Sequence, residues 1–161
     1  MSNPHPETVF EQALRDPNLP KLFESDWHKV AAFADPYPRL PYQSVIVPYR
    51  PFSDEERVLG DMQPLEALAV AAVSYALQKK LQRICTPGQL ALIHAEGYGV
   101  PEHGHTLVYQ SYERKSGKEL YEGPVLPAES VEQTLADLAF TPAERSTLLW
   151  SLDALHRGFT E

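Results

Sequence analysis

The sequence predicts an α+β domain, and three observations carry that reading. Short runs rich in β-branched and aromatic residues, bounded by prolines and turn residues, lie before residue 48 and again between residues 89 and 112. Between them, Val70, Val73, Leu77, Leu81 and Ile84 recur at helical spacing. Two further helix patterns with capping signals close the chain after residue 124.

Taken in order, Pro6–Arg15 reads as a first helix with an apolar stripe of Val9, Phe10, Ala13 and Leu14, stopped by Asp16-Pro17-Asn18. Leu22–Ser25 and Trp27–Ala34 read as strands. Residues 35–41 contain Pro36, Pro38 and Pro41, which lack backbone donors and exclude a regular element. Tyr42–Val47 is the next predicted strand, and Pro48–Asp61 is polar and irregular.

A helix is then predicted from Gln63 to about Ile84. Pro64 suits its first turn, and Lys79, Lys80 and Arg83 suit the negative end of its dipole. Its first half is apolar nearly all round and is expected to be buried. Thr86-Pro87-Gly88 ends it. Strands are predicted over Gln89–Ala95 and His103–Tyr112, with a turn at Lys115–Lys118 and a return strand at Glu119–Tyr121. After the Pro124–Pro127 linker, Ser130 with Gln133 is expected to cap a short helix. Thr141-Pro142-Ala143-Glu144 is a capping box for a last helix to about Arg157, with Leu148, Leu149, Leu152 and Leu155 as its stripe.

The chain of 161 residues is read as one domain: a core over residues 1–112, then a C-terminal hairpin and helical extension over 113–161. A net charge of -8 argues against phosphate-driven nucleic-acid binding, which needs clustered Lys and Arg. The longest apolar run, Ala67–Val73, is too short to span a bilayer. One cysteine, Cys85, excludes an internal disulfide, and it is expected as a half-buried free thiol. With no basic-then-apolar N-terminal pattern, the expected location is the cytoplasm.

Chemistry concentrates between His94 and Val108. Here a Gly-rich loop containing Glu96, Gly97 and Gly99 leads into His103-Gly104-His105 and a second apolar run. Residues two apart on a strand share a face, so His103 and His105 project together, with Cα atoms about 6.5–7 Å apart. Such a pair can bind metal, move protons, or attack a phosphate or acyl centre as neutral imidazole. His94 is expected to pack or to make a structural hydrogen bond. His5, His28 and His156 are expected at the surface or at caps, and Glu102 is expected as a solvated loop charge.

The collinear set Phe23-Glu24-Ser25-Asp26, Ala32-Phe33-Ala34-Asp35-Pro36, Ser44-Val45-Ile46-Val47-Pro48, the long helix, and Glu96-Gly97 … His103-Gly104-His105 resembles the histidine triad (HIT) superfamily over roughly Thr8–Tyr109. The resemblance implies an antiparallel sheet with a long central helix, here with additional C-terminal helices, usually as a homodimer. It implies a purine nucleotide or nucleotide conjugate as ligand. The implied reaction is hydrolysis or transfer at the α-phosphate through a nucleotidyl-histidine, with no metal or other cofactor. His105 takes the nucleophile's place and His103 that of the first motif histidine. Asp35 takes the place of the ribose-binding acid, Phe33 and Tyr37 flank the base, and Gly97 and Gly99 let the backbone approach the phosphate. The third motif histidine falls on Leu107. Pro51, Ala95 and Val100 stand where the family carries polar side chains.

Two alternatives follow. Loss of those four polar positions leaves a HIT-like nucleotide-binding or interaction module without turnover. Gly97-x5-His103-x-His105 is also similar to the start of a cupin metal motif. That motif needs a Glu where Tyr109 and Gln110 stand, and its fold is mostly β.

Overall fold

The computed structural model describes residues 15–49, 63–84, 106–108 and 124–160. Among them are four strands and three helices. In chain order these are β1 (Lys21–Ser25), β2 (Val30–Ala34), β3 (Ser44–Pro48), α1 (Pro64–Ile84), β4 (Thr106–Val108), α2 (Ala128–Leu138) and α3 (Pro142–Thr160). The strands form one antiparallel sheet in the order β1-β2-β3-β4.

Strand alternation gives the sheet two faces. Val30, Ala32 and Ala34 pair with Pro48, Ile46 and Ser44, and Ile46 pairs onward with Thr106. This face carries α1, which lies over β2, β3 and β4, and α2, which lies over β1 and β2. The other face carries Ala31 opposite Val47, and a row running Phe33–Val45–Leu107. Ala31, Phe33, Val45 and Val47 are all buried, so β2 and β3 are covered on both faces and read as continuous apolar runs. A bulge between Lys21 and Phe23 turns Leu22 and Phe23 together into the helix-side core.

α1 supplies the largest share of that core. Val70, Val73, Leu77 and Leu81 are fully buried against Ile46 and Ala32 from the sheet, Leu138 from α2 and Leu152 from α3. Each such burial contributes roughly 1.5–3 kcal/mol. The expected burial of the first half of α1 holds except at Ala71, which is exposed where the helix's outer side borders a groove against α3. Similarly Leu155, placed in the apolar stripe of the last helix, is exposed, and Leu152 alone of that stripe is fully buried.

The C-terminal helices are tied to β1. Phe140 N–H donates to the Leu22 carbonyl at 2.9 Å, the Phe140 and Phe23 rings stand 5.4 Å apart, and the Arg145 guanidinium donates to the Glu24 carbonyl. The Thr141–Glu144 capping box forms as its sequence requires: Glu144 N–H donates to Thr141 Oγ1 and Thr141 N–H to Glu144 Oε1. Ser130 does not cap α2. That helix begins two residues earlier after Pro127, whose φ of −59° already suits a helix start, and its cap has no side-chain hydrogen bond.

Two strand limits differ from expectation. Trp27 lies in the turn between β1 and β2, 74% exposed, because Ser25 closes that turn with its side chain. β3 starts at Ser44 because Tyr42 adopts a positive φ of 62°, which no strand residue holds. Pro48, read as the start of the irregular stretch Pro48–Asp61, instead ends β3, paired with Val30. The predicted helix Pro6–Arg15 apart from Arg15, residues 50–61, Cys85, His94, the strand at 89–95, Glu102 and the 109–121 hairpin lie outside the described residues.

Candidate functional site

The loop joining β2 to β3 is built around two side chains. Asp35 N–H donates to the Gln43 carbonyl at 3.0 Å, closing the loop at its base. Asp35 Oδ1 accepts the Tyr37 N–H at 2.9 Å, an Asx turn that starts the proline-rich stretch. Asp35 Oδ2 accepts Gln43 Nε2 at 2.8 Å. Gln43 Oε1 in turn accepts the N–H groups of Arg39 and Leu40. With three prolines in the span, few backbone donors remain, and the Gln43 amide receives two of them.

Further ties fix the loop to the body. Tyr42 Oη donates to Asp137 of α2 at 2.6 Å, and Leu126 N–H donates to the Pro38 carbonyl. Burial pushes the Asp35 carboxyl above the ordinary carboxylate value. The Tyr37 backbone bond, the Gln43 side-chain bond and the Arg39 charge act the other way. A carboxylate offers about four lone-pair sites. Two of these are used by described residues, Tyr37 N–H and Gln43 Nε2.

The sequence-predicted site residues fall into two groups. Phe33, Asp35 and Tyr37 are together at the end of β2. Phe33 is 1% exposed, in the row with Val45 and Leu107, while Tyr37 is 66% exposed. Glu96, Gly97, Gly99, His103 and His105 lie outside the described residues, as do Pro51, Ala95 and Val100. Leu107 is described as a member of β4, paired with Val45. No group of three or more His, Cys, Asp or Glu among the described residues is placed to hold a metal ion.

His28, expected at the surface, is instead 2% exposed beneath the β1–β2 turn. Its Nδ1 lies 2.8 Å from Ser25 Oγ, and its backbone N–H donates to the same oxygen. On the other side, Nε2 lies 3.4 Å from Asp153 Oδ1 on α3, too poorly aligned for a hydrogen bond, and has no other hydrogen-bond partner among the described residues. Burial pushes the imidazole below its ordinary pKa, with the Asp153 charge opposing. The trio of Ser, His and Asp is not arranged for nucleophilic attack: Ser25 is itself 2% exposed and closes a turn. The Ser25-x-x-His28 spacing was the available sequence signal, since Ser commonly caps a turn through a backbone N–H a few residues on.

No family model matches the sequence, and no curated protein does. Solved structures do match. A histidine triad nucleotide-binding protein from Sulfolobus tokodaii, described as hypothetical, superposes with a TM-score of 0.55 at 18% identity, over 82% of this chain and 89% of that one. A zinc-bound histidine triad family protein from Mycobacterium smegmatis gives 0.54 at 20% identity, over 81% and 92%. A Hit-like protein involved in cell-cycle regulation from Bartonella henselae gives 0.52 at 19%, over 80% and 90%. These neighbours, together with the antiparallel sheet and its long covering helix, set the cupin alternative aside: the chain carries a divergent histidine-triad-like fold.

Proposed function

We propose that this chain is a divergent histidine triad nucleotide hydrolase or transferase, acting at the α-phosphate of a purine nucleotide or nucleotide conjugate as a homodimer. One observation carries the reading. The Phe33–Val45–Leu107 row joins the Asp35 loop to the strand directly after His103-Gly104-His105 on a single sheet. The reading requires His103 and His105 to keep the parity of Leu107 and so share the face of Phe33. Asp35, held in place by the Tyr37 N–H and the Gln43 amide, would take the ribose hydroxyls. Phe33 and Tyr37 would bracket the base, and Glu96, Gly97 and Gly99 would line the phosphate.

In the proposed reaction a His105 ring nitrogen attacks the α-phosphorus. A nitrogen–phosphorus bond forms, and the bond to the leaving group breaks with its electron pair. The leaving group gains a proton through His103. Water or an acceptor hydroxyl then attacks the same phosphorus and gives its proton to His103, the nitrogen–phosphorus bond breaks with its electron pair going to nitrogen, and both histidines are regenerated. Leu107, Pro51, Ala95 and Val100 withhold polar groups from this site, and a missing preorganised donor typically costs about 10²–10³ in rate. That arithmetic supports the second reading, a nucleotide-binding module with the same fold and no turnover.

A thermal-shift and turnover screen decides between them. AMP, GMP, adenosine phosphoramidate and a dinucleoside polyphosphate are tested on wild type and His105→Ala. Turnover lost in the variant supports the enzyme. Stabilisation by AMP without turnover supports the binder, and no response to any nucleotide overturns both.

A further inference from the structure

We propose that the groove between α1 and α3 is a docking site for an amphipathic helix of a partner protein, with an apolar face that fills the groove and acidic residues at the end that meets Lys79 and Arg83. The groove lies on the outer side of α1, away from the sheet, and is independent of the nucleotide reading.

α1 and α3 pack antiparallel: Lys80 near the end of α1 meets Glu144 at the start of α3, and Leu68 shares a pocket with Leu155. The groove between them has a volume of about 750 Å³ and is lined almost entirely by apolar atoms. On α1 its wall recurs every three to four residues from Leu68 to Arg83, a length of about 22 Å at 1.5 Å per residue. Beside Leu155 a second pocket reaches Gly158, where an added Cβ would meet nothing within 4 Å. Tyr75 and Leu155 stand 64% and 56% exposed on its rims, and no described residue fills it.

The shape favours a helix. Ala71, Ala72, Ala76 and Ala143 line the groove with small side chains, so another helix can approach to an ordinary interaxial distance of about 8–10 Å and seat a ridge of larger residues. A second copy fits poorly, since two-fold pairing sets the same patch against itself and two concave faces do not fill one another.

The charge chooses the partner's sign. In a chain of net charge -8, this groove is lined by three cations and one anion. The anion, Glu144, is held by Lys80 at 2.7 Å through both oxygens. Lys79 and Arg83 remain exposed at the same end. The opposite end is apolar. An acidic end on the partner helix therefore fixes its direction.

The test uses the full chain and fluorescein-labelled 18-residue peptides with leucines at i, i+3, i+4 and i+7. The glutamates are clustered at one terminus or the other, and control peptides carry lysines instead. We expect saturable one-to-one binding of one glutamate peptide, with the lysine peptide much weaker. Lys79→Glu/Arg83→Glu should weaken binding by roughly tenfold or more. Ala71→Arg, at an exposed position in the groove, should abolish it, while both variants melt as the wild type does. Four results overturn the proposal: no saturable binding; equal binding by the charge-reversed variant; dodecanoate rather than peptide as the species displaced by Ala71→Arg; or a wild-type dimer in sedimentation that Ala71→Arg splits.

Discussion

Asp153 of α3 stands 3.4 Å from the buried Nε2 of His28, and among the described residues it is the one acidic group acting on that imidazole. Facing the ring from α3 besides Asp153 are His156 and Arg145, both of which oppose a positive charge on it. Burial dominates, so the folded-state pKa lies below the ordinary 6.5. The unfolded chain then binds more protons between those two values, and stability rises with pH there. His28's contribution is complete above pH 6.5 and is lost as pH falls towards the folded value. Denaturant titrations across that range should show the decline, and His28→Gln should remove it. Asp153→Asn should extend it to lower pH, because the one group that raises the imidazole pKa is gone.

Gln43 satisfies three partners with one side chain: the Asp35 carboxylate and the N–H groups of Arg39 and Leu40. Gln43→Ala should therefore cost about 1–3 kcal/mol in urea unfolding, the range for leaving buried polar groups unmatched. Gln43→Glu should cost more at neutral pH, where two carboxylates would face each other, and should recover on acidification. If the proposed nucleotide site is correct, both variants should also weaken AMP binding.

Glu144 serves the α3 cap and the α1–α3 contact together. Its carboxyl is held below the ordinary value, first by the Lys80 hydrogen bond and then by the Thr141 N–H. Stability from this group is present above pH 4.5 and is lost as pH falls through the lowered folded value. Glu144→Ala should cost about 0.5–2 kcal/mol through the cap. A double-mutant cycle with Lys80→Ala should show coupling between the two side chains that disappears at low pH.

Lys29 holds a φ of 58° at the end of the β1–β2 turn, a conformation that suits glycine. Lys29→Gly should therefore stabilise the protein by about 0.5–1 kcal/mol, or up to about 2–4 °C in calorimetry for a chain of this size. A fall in melting temperature would show that the lysine side chain outweighs the backbone strain.

The elements with a strong local signal were legible in the sequence. The Thr141–Glu144 box needed only four residues to specify a helix start, and the α1 stripe announced the core residues Val70, Val73, Leu77 and Leu81, while its last member, Ile84, is 42% exposed at the helix end. Boundaries set by distant contacts were not legible. Tyr42 leaves the strand because its hydroxyl is drawn to Asp137, 95 positions away. His28 is buried because α3 lies over the turn, which no local pattern announces. The site was legible in part. Asp35 before proline marked the loop, but its second anchor, Gln43, carries no motif and emerges only from geometry.

The bond from Arg145 to the Glu24 carbonyl joins residues 121 positions apart, and the neighbouring Phe140–Leu22 bond does the same for the bulge. Contacts of such separation are expensive in loop-closure entropy and slow to form. During synthesis, the first hairpin can assemble early but cannot be sealed until α2 and the start of α3 have left the ribosome. Until then, Leu22 and Phe23 present an uncovered apolar bulge. That apolar bulge is thus sealed only when Phe140 and Arg145, just before and within the first turn of α3, have reached β1.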